Sequence, residues 1–305
     1  MRLGLAMTVK DEANRIEGAL GEILDLFDQV VIADTGSTDG TPDLLRDLGV
    51  EPIRDAVDPD RCHALADVRN RLFARLDTPW TLSLDADERI ERAALDALLG
   101  GPEPEAAGLF CAWHTHRAKG GLLLDYKCPI FRKGLEMAGE VHENIQVSIR
   151  GAGERAVWHR GLILHHFPEV SKLPAKRARY LRRLRCALRR EPDCHRARWF
   201  AGYTLLQAGD PTAALPLLDQ VAASRSHAFP VECLNAHLVL ADLHARAGRS
   251  EEVRATLTAA SSLHEEVADD FEVQVNFRLL PWLRDAWSAW EAGALDRIRA
   301  YEFAC

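Results

Sequence analysis

Trp80-Thr81-Leu82-Ser83-Leu84-Asp85-Ala86-Asp87-Glu88 is an apolar run rich in strand formers that ends in two carboxylates one residue apart. Side chains two apart on a strand point to the same face, so Asp85 and Asp87 aim at one point. Two hard oxygen ligands at a strand end suit a divalent cation that also holds phosphate oxygens and keeps several waters. Taken alone, the same residues fit an acidic turn that caps a helix beginning near Glu91. The rest of the chain decides between the two.

Upstream, strand-like and helix-like segments alternate. Residues 3–9 read as a strand and 12–27 as an amphipathic helix, with Ile16, Leu20, Ile23, Leu24 and Phe27 on one stripe. Residues 30–33 form a second strand, 38–48 a helix capped by Ser37 or Thr38, and 63–76 a third helix, before the strand at 80–84. This β-α-β-α order predicts a parallel sheet covered on both faces. After Gly108 strands dominate, at 108–114, 122–132, 145–150 and 161–167, and these extend or cover the sheet. From Lys172 onward almost everything reads as helix. Gly202/Ala241 and Ala214/Val253 recur in register 39 residues apart, as in a tetratricopeptide-like hairpin with a longer loop around 224–230; the usual period is ~34. A last helical block at 273–290 carries Trp282, Trp287 and Trp290, which read as packing residues that cap the stack. The expected domains are 1–170 and 171–305.

Net charge is -8, which argues against nucleic-acid binding by the whole surface. One segment dissents: Lys172 to Arg190 holds nine Lys or Arg and no acid. It reads either as a solvated helix face or as a surface for phosphates, an anionic acceptor or peripheral membrane contact. No stretch approaches the ~18 to 20 uninterrupted apolar residues of a membrane span, and residues 1–10 are too short an apolar segment for a secretory leader. The seven cysteines, 62, 111, 128, 186, 194, 233 and 305, include no C-x-x-C pair and fit reduced thiols. The expected location is the cytoplasm.

Val30-Val31-Ile32-Ala33-Asp34-Thr35-Gly36-Ser37-Thr38-Asp39-Gly40-Thr41 is a strand that ends at an acid and turns through Gly36 into a helix N-terminus. In an open α/β sheet a nucleotide lies at such a place. G-x-G-x-x-G and G-x-x-x-x-G-K-[ST] are both absent, so dinucleotide and P-loop readings lose their support. A nucleotidyltransferase would want a glycine-rich loop after the first strand, and residues 8–14 contain no glycine.

Four segments in order, Thr8-Val9-Lys10-Asp11-Glu12-Ala13-Asn14, Ala33 to Thr41, Val68-Arg69-Asn70 and Leu84-Asp85-Ala86-Asp87-Glu88, resemble the inverting glycosyltransferases of family 2. The branch most resembled holds lipopolysaccharide-core glucosyltransferases and peptide glycosyltransferases with a TPR-like C-terminal domain. The resemblance covers residues 1–180 and implies a GT-A fold, an α/β Rossmann-like mixed sheet, followed by an all-α TPR-like domain. It implies a metal-dependent hexosyltransferase using a nucleotide-diphosphate sugar, UDP by expectation, with Mn²⁺ or Mg²⁺. Thr8 and Glu12 match the strand-end motif facing the nucleotide, Asp34 the acid that reads the base or ribose, and Asp39 lies in the same element. Arg69 matches a basic position near the diphosphate, suited to a planar bidentate donor. Asp85 and Asp87 match the metal-binding D-x-D.

Phe131-Arg132 and then Gly139-Glu140-Val141-His142-Glu143 resemble the segment that supplies the catalytic base. Inversion needs one in-line displacement, so one carboxylate takes the acceptor proton, and Glu143 matches that base. Arg132 and His142 match donor-binding positions. In Leu162-Ile163-Leu164-His165-His166-Phe167-Pro168, His165 matches a third metal ligand by its spacing to Lys176 and Arg179. His166 stands where relatives carry an aromatic and Phe167 where they carry glycine, which leaves open which histidine faces the cation. The acceptor also stays open. A helical-repeat tail favours a polypeptide or a protein partner, whereas the basic segment favours a phosphorylated glycolipid or glycan. The rival reading from another class is a TPR-like interaction protein whose N-terminal domain binds a nucleotide sugar without turning it over.

Overall fold

The computed structural model describes residues 1–55, 57, 64–169 and 173–303. Cys62, His63, Lys172 and Cys305, and the domain boundary expected at 170/171, lie outside the described residues. Two compact units span Met1–Leu173 and Pro174–Phe303. Among the described residues no helix is long and apolar enough to cross a membrane.

The N-terminal unit runs β1 (Leu3–Val9), α1 (Ile16–Leu20), β2 (Gln29–Asp34), α2 (Thr41–Asp47), β3 (Ile53–Arg54), α3 (Ala64–Arg75), β4 (Trp80–Ser83), β5 (Glu88–Ile90), α4 (Arg92–Gly100), β6 (Gly108–His116), β7 (Leu122–Arg132), α5 (Gln146–Gly151) and β8 (Ala156–His166). Its eight strands form one sheet in the order β3-β2-β1-β4-β7-β6-β8-β5. The β3-β2-β1-β4 half is parallel, and β7 then joins β4 antiparallel. Leu3, Leu5, Met7 and Val9 on one face of β1 and Gly4 and Ala6 on the other are all buried, as a central strand covered on both faces requires. Strand order reverses between β1 and β4, so the crevice at their carboxyl ends is where such a sheet takes a ligand.

Several expected elements are cut shorter or change type. The helix expected over 12–27 is only α1 followed by a 3-10 turn at Leu24–Leu26. Asp11 turns the chain at φ 54°, and the amides of Asp11, Glu12 and Ala13 bond across to the next loop instead of starting a helix. Likewise α2 begins at Thr41 with Gly40 as its cap residue, not at Ser37 or Thr38, because those two side chains bind the neighbouring loop. Residues 145–150, expected as a strand, hold the short helix α5. Ile145 and Ile149 are both buried, and their spacing of four is helical rather than alternating. The acidic turn at 85–87 does not cap α4, since β5 intervenes and Glu91 makes no side-chain cap.

The second unit is helical: α6 (Leu173–Arg190), α7 (His195–Gln207), α8 (Pro211–Ser224), α9 (Pro230–Arg246), α10 (Ser250–Glu266), α11 (Phe271–Val275) and α12 (Leu279–Glu291). Gly202, Ala214, Ala241 and Val253, the register positions 39 apart, are all buried. A Cβ on Gly202 would meet Leu218 at 3.0 Å, so glycine there lets α7 and α8 close. The indole N–H groups of Trp282, Trp287 and Trp290 donate to Arg299 O, Ser261 Oγ and Ser250 O. These tryptophans pack and pin the last helices.

Gly4, at the amino end of the central strand β1, tests how tightly that end of the sheet is packed. A Cβ there meets Thr78 Oγ1 at 2.5 Å and Leu76 Cδ2 at 2.8 Å. Gly4→Ala should lower stability in urea unfolding by about 1–3 kcal/mol, the overpacking range; an unchanged midpoint would mean that these neighbours yield freely.

Candidate active site

The loops after β1, β2 and β4 meet at the crevice. The first two are laced together: Asp11 N donates to Ser37 Oγ (2.9 Å), Glu12 N to Thr41 Oγ1 (2.9 Å), Ala13 N to Asp39 Oδ2 (3.1 Å) and Thr38 N to Asp11 Oδ1 (2.7 Å). Thr41 also gives both its amide and its hydroxyl to Asp39 Oδ1. Burial pushes the Asp39 carboxyl up, but the bonds from Thr41 and Ala13 outweigh it and hold its pKa below the usual value. Asp39, expected as a donor contact, therefore has both oxygens engaged in building the loop. Asp34 is buried at the end of β2, where Oδ1 accepts from Ser37 N at 2.9 Å. Thr8, half-buried, sits one residue before the end of β1 and beside Ala33. Glu12 Oε2 accepts from Arg15 at 2.9 Å.

Asp85 lies between two cations. Arg69 on α3 donates to its Oδ1 at 2.5 Å, and Lys127 on β7 to its Oδ2 at 3.1 Å. Lys127 also reaches both oxygens of Glu88, at 2.7 and 2.9 Å, and Glu88 in turn accepts from the Asp85 amide at 3.0 Å. Burial would raise the Asp85 carboxyl, but Arg69 and Lys127 hold it far below the usual carboxylate range. Burial raises Glu88, with Asp85 adding to the rise and Lys127 opposing it. Lys127 would fall on burial, yet the two acids raise it. Sequence reading missed Lys127 and the inward role of Glu88. The signal was register: β4 and β7 pair Leu82 with Ile130, and three residues further along each strand Lys127 stands across from Asp85.

The same pleat arithmetic settles the histidines. His166 faces Asp87, its Nε2 3.5 Å from Oδ2, with Nδ1 bonded to Thr115 Oγ1 at 2.9 Å and Trp113 stacked on the ring at 4.9 Å. His165, expected as the third metal ligand, turns to the other face of β8 and bonds His116 at 3.0 Å. Successive residues on a strand point to opposite faces, so of the two histidines it is His166 that meets Asp87.

Arg132 also departs from expectation. β7 runs antiparallel to β4 and sets Arg132 against Trp80, at the start of β4, roughly 16 Å of strand away from Asp85 at ~3.3 Å per residue. There it stacks on Trp80 at 4.7 Å and binds Ala106 O, Pro104 O and Glu103. Arg132 braces the far end of β4, away from Asp85.

Glu143 lies in a loop whose base is the bridge between Ala138 and Asn144, bonded at 2.9 and 3.0 Å. Gly139 at φ 122° and His142 at φ 51° shape it. Asn70 holds this loop to α3, accepting from Met137 N at 2.8 Å and donating to Met137 O at 3.0 Å. Next to it Arg69 feels the charges of both Asp85 and Glu143, which raise its pKa against burial. Two adjacent residues of α3 thus serve the D-x-D acid and the Glu143 loop.

Among the described residues no three His, Cys, Asp or Glu side chains converge as a preformed metal cluster. Asp87 and His166 nonetheless fit one edge of an octahedral shell. Their 3.5 Å separation is near the about 3 Å expected of adjacent ligands with bonds of about 2.1 Å. Asp85 could complete the set in competition with Arg69 and Lys127, each of which bonds one of its oxygens.

Residues 5–145 match the family model described as glycosyl transferase family 2. The N-terminal unit carries a family 2 glycosyltransferase domain. Its mixed α/β sheet is GT-A-like. Residues 181–230 and 202–262 match a tetratricopeptide repeat model, so the helical unit carries such repeats. A TPR repeat-containing protein of Synechococcus elongatus is 32% identical over 89 residues, covering 29% of this chain and 21% of that protein. The chain thus matches about a fifth of that relative's length. Among solved structures, S. aureus TarS 1-349 in complex with UDP is similar with a TM-score of 0.46 and 12% identity, covering 98% of this chain and 89% of that one. Glucosyl-3-phosphoglycerate synthase from Mycobacterium tuberculosis, in complex with Mn²⁺, UDP and phosphoglyceric acid, has a TM-score of 0.41 and 15% identity, covering 57% and 73%.

Asn70→Ala removes both ties to Met137. The expected result is faster amide exchange over residues 137–144 by hydrogen-exchange mass spectrometry and a stability loss of about 1–3 kcal/mol. Unchanged exchange there would mean that the loop holds itself.

Proposed function

We propose that this protein is an inverting glycosyltransferase that moves a hexose from a uridine-diphosphate donor to an acceptor hydroxyl, with Glu143 as the base and Mn²⁺ or Mg²⁺ as the assisting ion. The observation that carries the reading is the shared guanidinium: Arg69 is bonded to Asp85 and lies within the electrostatic reach of Glu143. Arg69 thereby links the D-x-D acid to the Glu143 loop beside the crevice between β1 and β4, where a sheet of this topology takes a ligand.

In this reading Asp34 and Thr8 line the nucleoside end of the crevice. Arg69, a planar donor whose Nε has no hydrogen-bond partner among the described residues, faces the diphosphate. Asp87 and His166 would hold the cation, joined by Asp85, and the Thr115 hydroxyl fixes the His166 ring so that Nε2 stays aimed at Asp87. The cation, when bound, neutralises charge developing on the leaving diphosphate. Glu143 accepts the proton of the attacking hydroxyl as the new bond forms, in one displacement that inverts the anomeric carbon. The tetratricopeptide repeats, which stack into concave surfaces, favour a polypeptide acceptor or a protein partner.

Thermal shift with UDP, GDP and CDP and their hexose conjugates, each with and without Mn²⁺, should give a metal-dependent rise for the uridine series; no rise with any nucleotide would sink the donor assignment. Glu143→Gln should lose about 10²–10⁴-fold in transfer or donor hydrolysis, the range for a general base, while keeping the UDP shift. Arg132→Gln should leave that shift intact. UDP binding without turnover by the wild type would favour the interaction-module reading.

A further inference from the structure

Both carboxylate oxygens of Asp85 already face a cation, so a divalent ion arriving there meets like charge. Arg69 and Lys127 each bond one of its two carboxylate oxygens. The two cations are not equivalent. Lys127 sits at 2.7 and 2.9 Å from the two oxygens of Glu88, whose side chain is only 1% exposed, and at 3.1 Å from Asp85. Its ammonium is a compact charge on a flexible four-carbon stem, so it can let go of Asp85 while staying on Glu88. Arg69 is buried, and its Nε already lacks a hydrogen-bond partner among the described residues. Releasing Asp85 would leave a second buried donor without an acceptor, which is costly unless another anion arrives.

We propose that Lys127 is a place-holding counter-ion: in the ligand-free protein it occupies Asp85 in the cation's stead, and it couples cation binding to arrival of the donor's diphosphate. The inference rests on the proposed donor and cation. A divalent ion alone must compete with Lys127 and strand Arg69. A nucleoside diphosphate arriving with it supplies phosphate oxygens to Arg69 as Asp85 turns away. Each ligand therefore lowers the cost of the other, and the coupling is reciprocal. Glu88 is what keeps the lysine parked: a buried acid beside the site, too enclosed to be a ligand itself, retains the displaced ammonium.

The test is titration calorimetry of Mn²⁺ into the full chain, with and without saturating UDP. For the wild type, UDP should tighten Mn²⁺ at least about ten-fold, within the usual span of coupling between sites. The variant K127M/E88Q removes the lysine together with its buried partner, so the net charge near Asp85 is unchanged and no buried charge is orphaned. It should bind Mn²⁺ without UDP several-fold more tightly than the wild type, with the effect of UDP reduced by the same factor. Mn²⁺ binding equal to or weaker than wild type in that variant, with the UDP effect intact, overturns the place-holder. Should the double variant fail to fold by circular dichroism, Glu88→Gln decides. Lys127 then has Asp85 as its sole ionic partner of the two, and Mn²⁺ alone should bind more weakly; unchanged or tighter binding overturns the proposal. A wild type that binds neither UDP nor Mn²⁺ overturns the proposed function as well, whereas one that binds both, with no gain on removing Lys127, overturns the place-holder alone.

Discussion

Asp85, half-buried, is held by Arg69 and Lys127 beside the buried Glu88, and these four side chains come from α3, the end of β4, β5 and β7. Arg69 and Glu88 are the buried members, and a buried charge stripped of its partner is left uncompensated at a cost of about 3–5 kcal/mol. The cluster therefore ties the parallel half of the sheet to the antiparallel half at the strand boundary where the crevice opens. β5 is brought against β8 in the same region, with Glu88 opposite His166, and Asp87 thereby meets the imidazole.

A second constraint is that loops with little regular structure must keep their polar backbone bonded. The loops after β1 and β2 do so by crossing side chains: Ser37, Thr41 and Asp39 accept amides from residues 11–13, and Asp11 returns the bond to Thr38. Acids that look like ligands in the chain are in part the scaffold that holds Asp34 and Thr8 at the crevice. The Glu143 loop is anchored differently, through Asn70 to α3. One helix thus sets the spacing between the D-x-D acid and the proposed base, and any shift of α3 would move both.

The helical unit follows a simpler rule. Small residues at 202 and 214, then at 241 with Val253, recur where paired helices approach most closely, and α9 is buried along nearly its whole length. Its buried ion pair, Arg196 with Glu232 at 3.1 Å, and its pinned tryptophans are packing devices. They define a repeat stack whose period was legible because each repeat must bury the same face.

Much of the first unit was legible from residue pattern. Alternating segments predicted the parallel half, β1 and β7 have the expected bounds, and the strand ends carrying Asp34 and Asp85 lie at one edge. Local pattern was weaker where a side chain's partner is distant in sequence. Ser37 and Thr38 read as helix caps, yet they bond a loop some 26 residues earlier. Ile145 and Ile149 were consistent with a strand until packing selected the helix. The sequence by itself determined the order of elements, the clustering of acids at strand ends and the helical repeat, since these follow from the periodicity of burial along one segment. Only the tertiary structure decided that His166 rather than His165 meets Asp87, that Arg132 lies at the wrong end of its strand, and that Lys127 holds Asp85. Each of those depends on which strands are neighbours and in which direction they run, and pairing direction and register are properties of two segments together, encoded in neither alone.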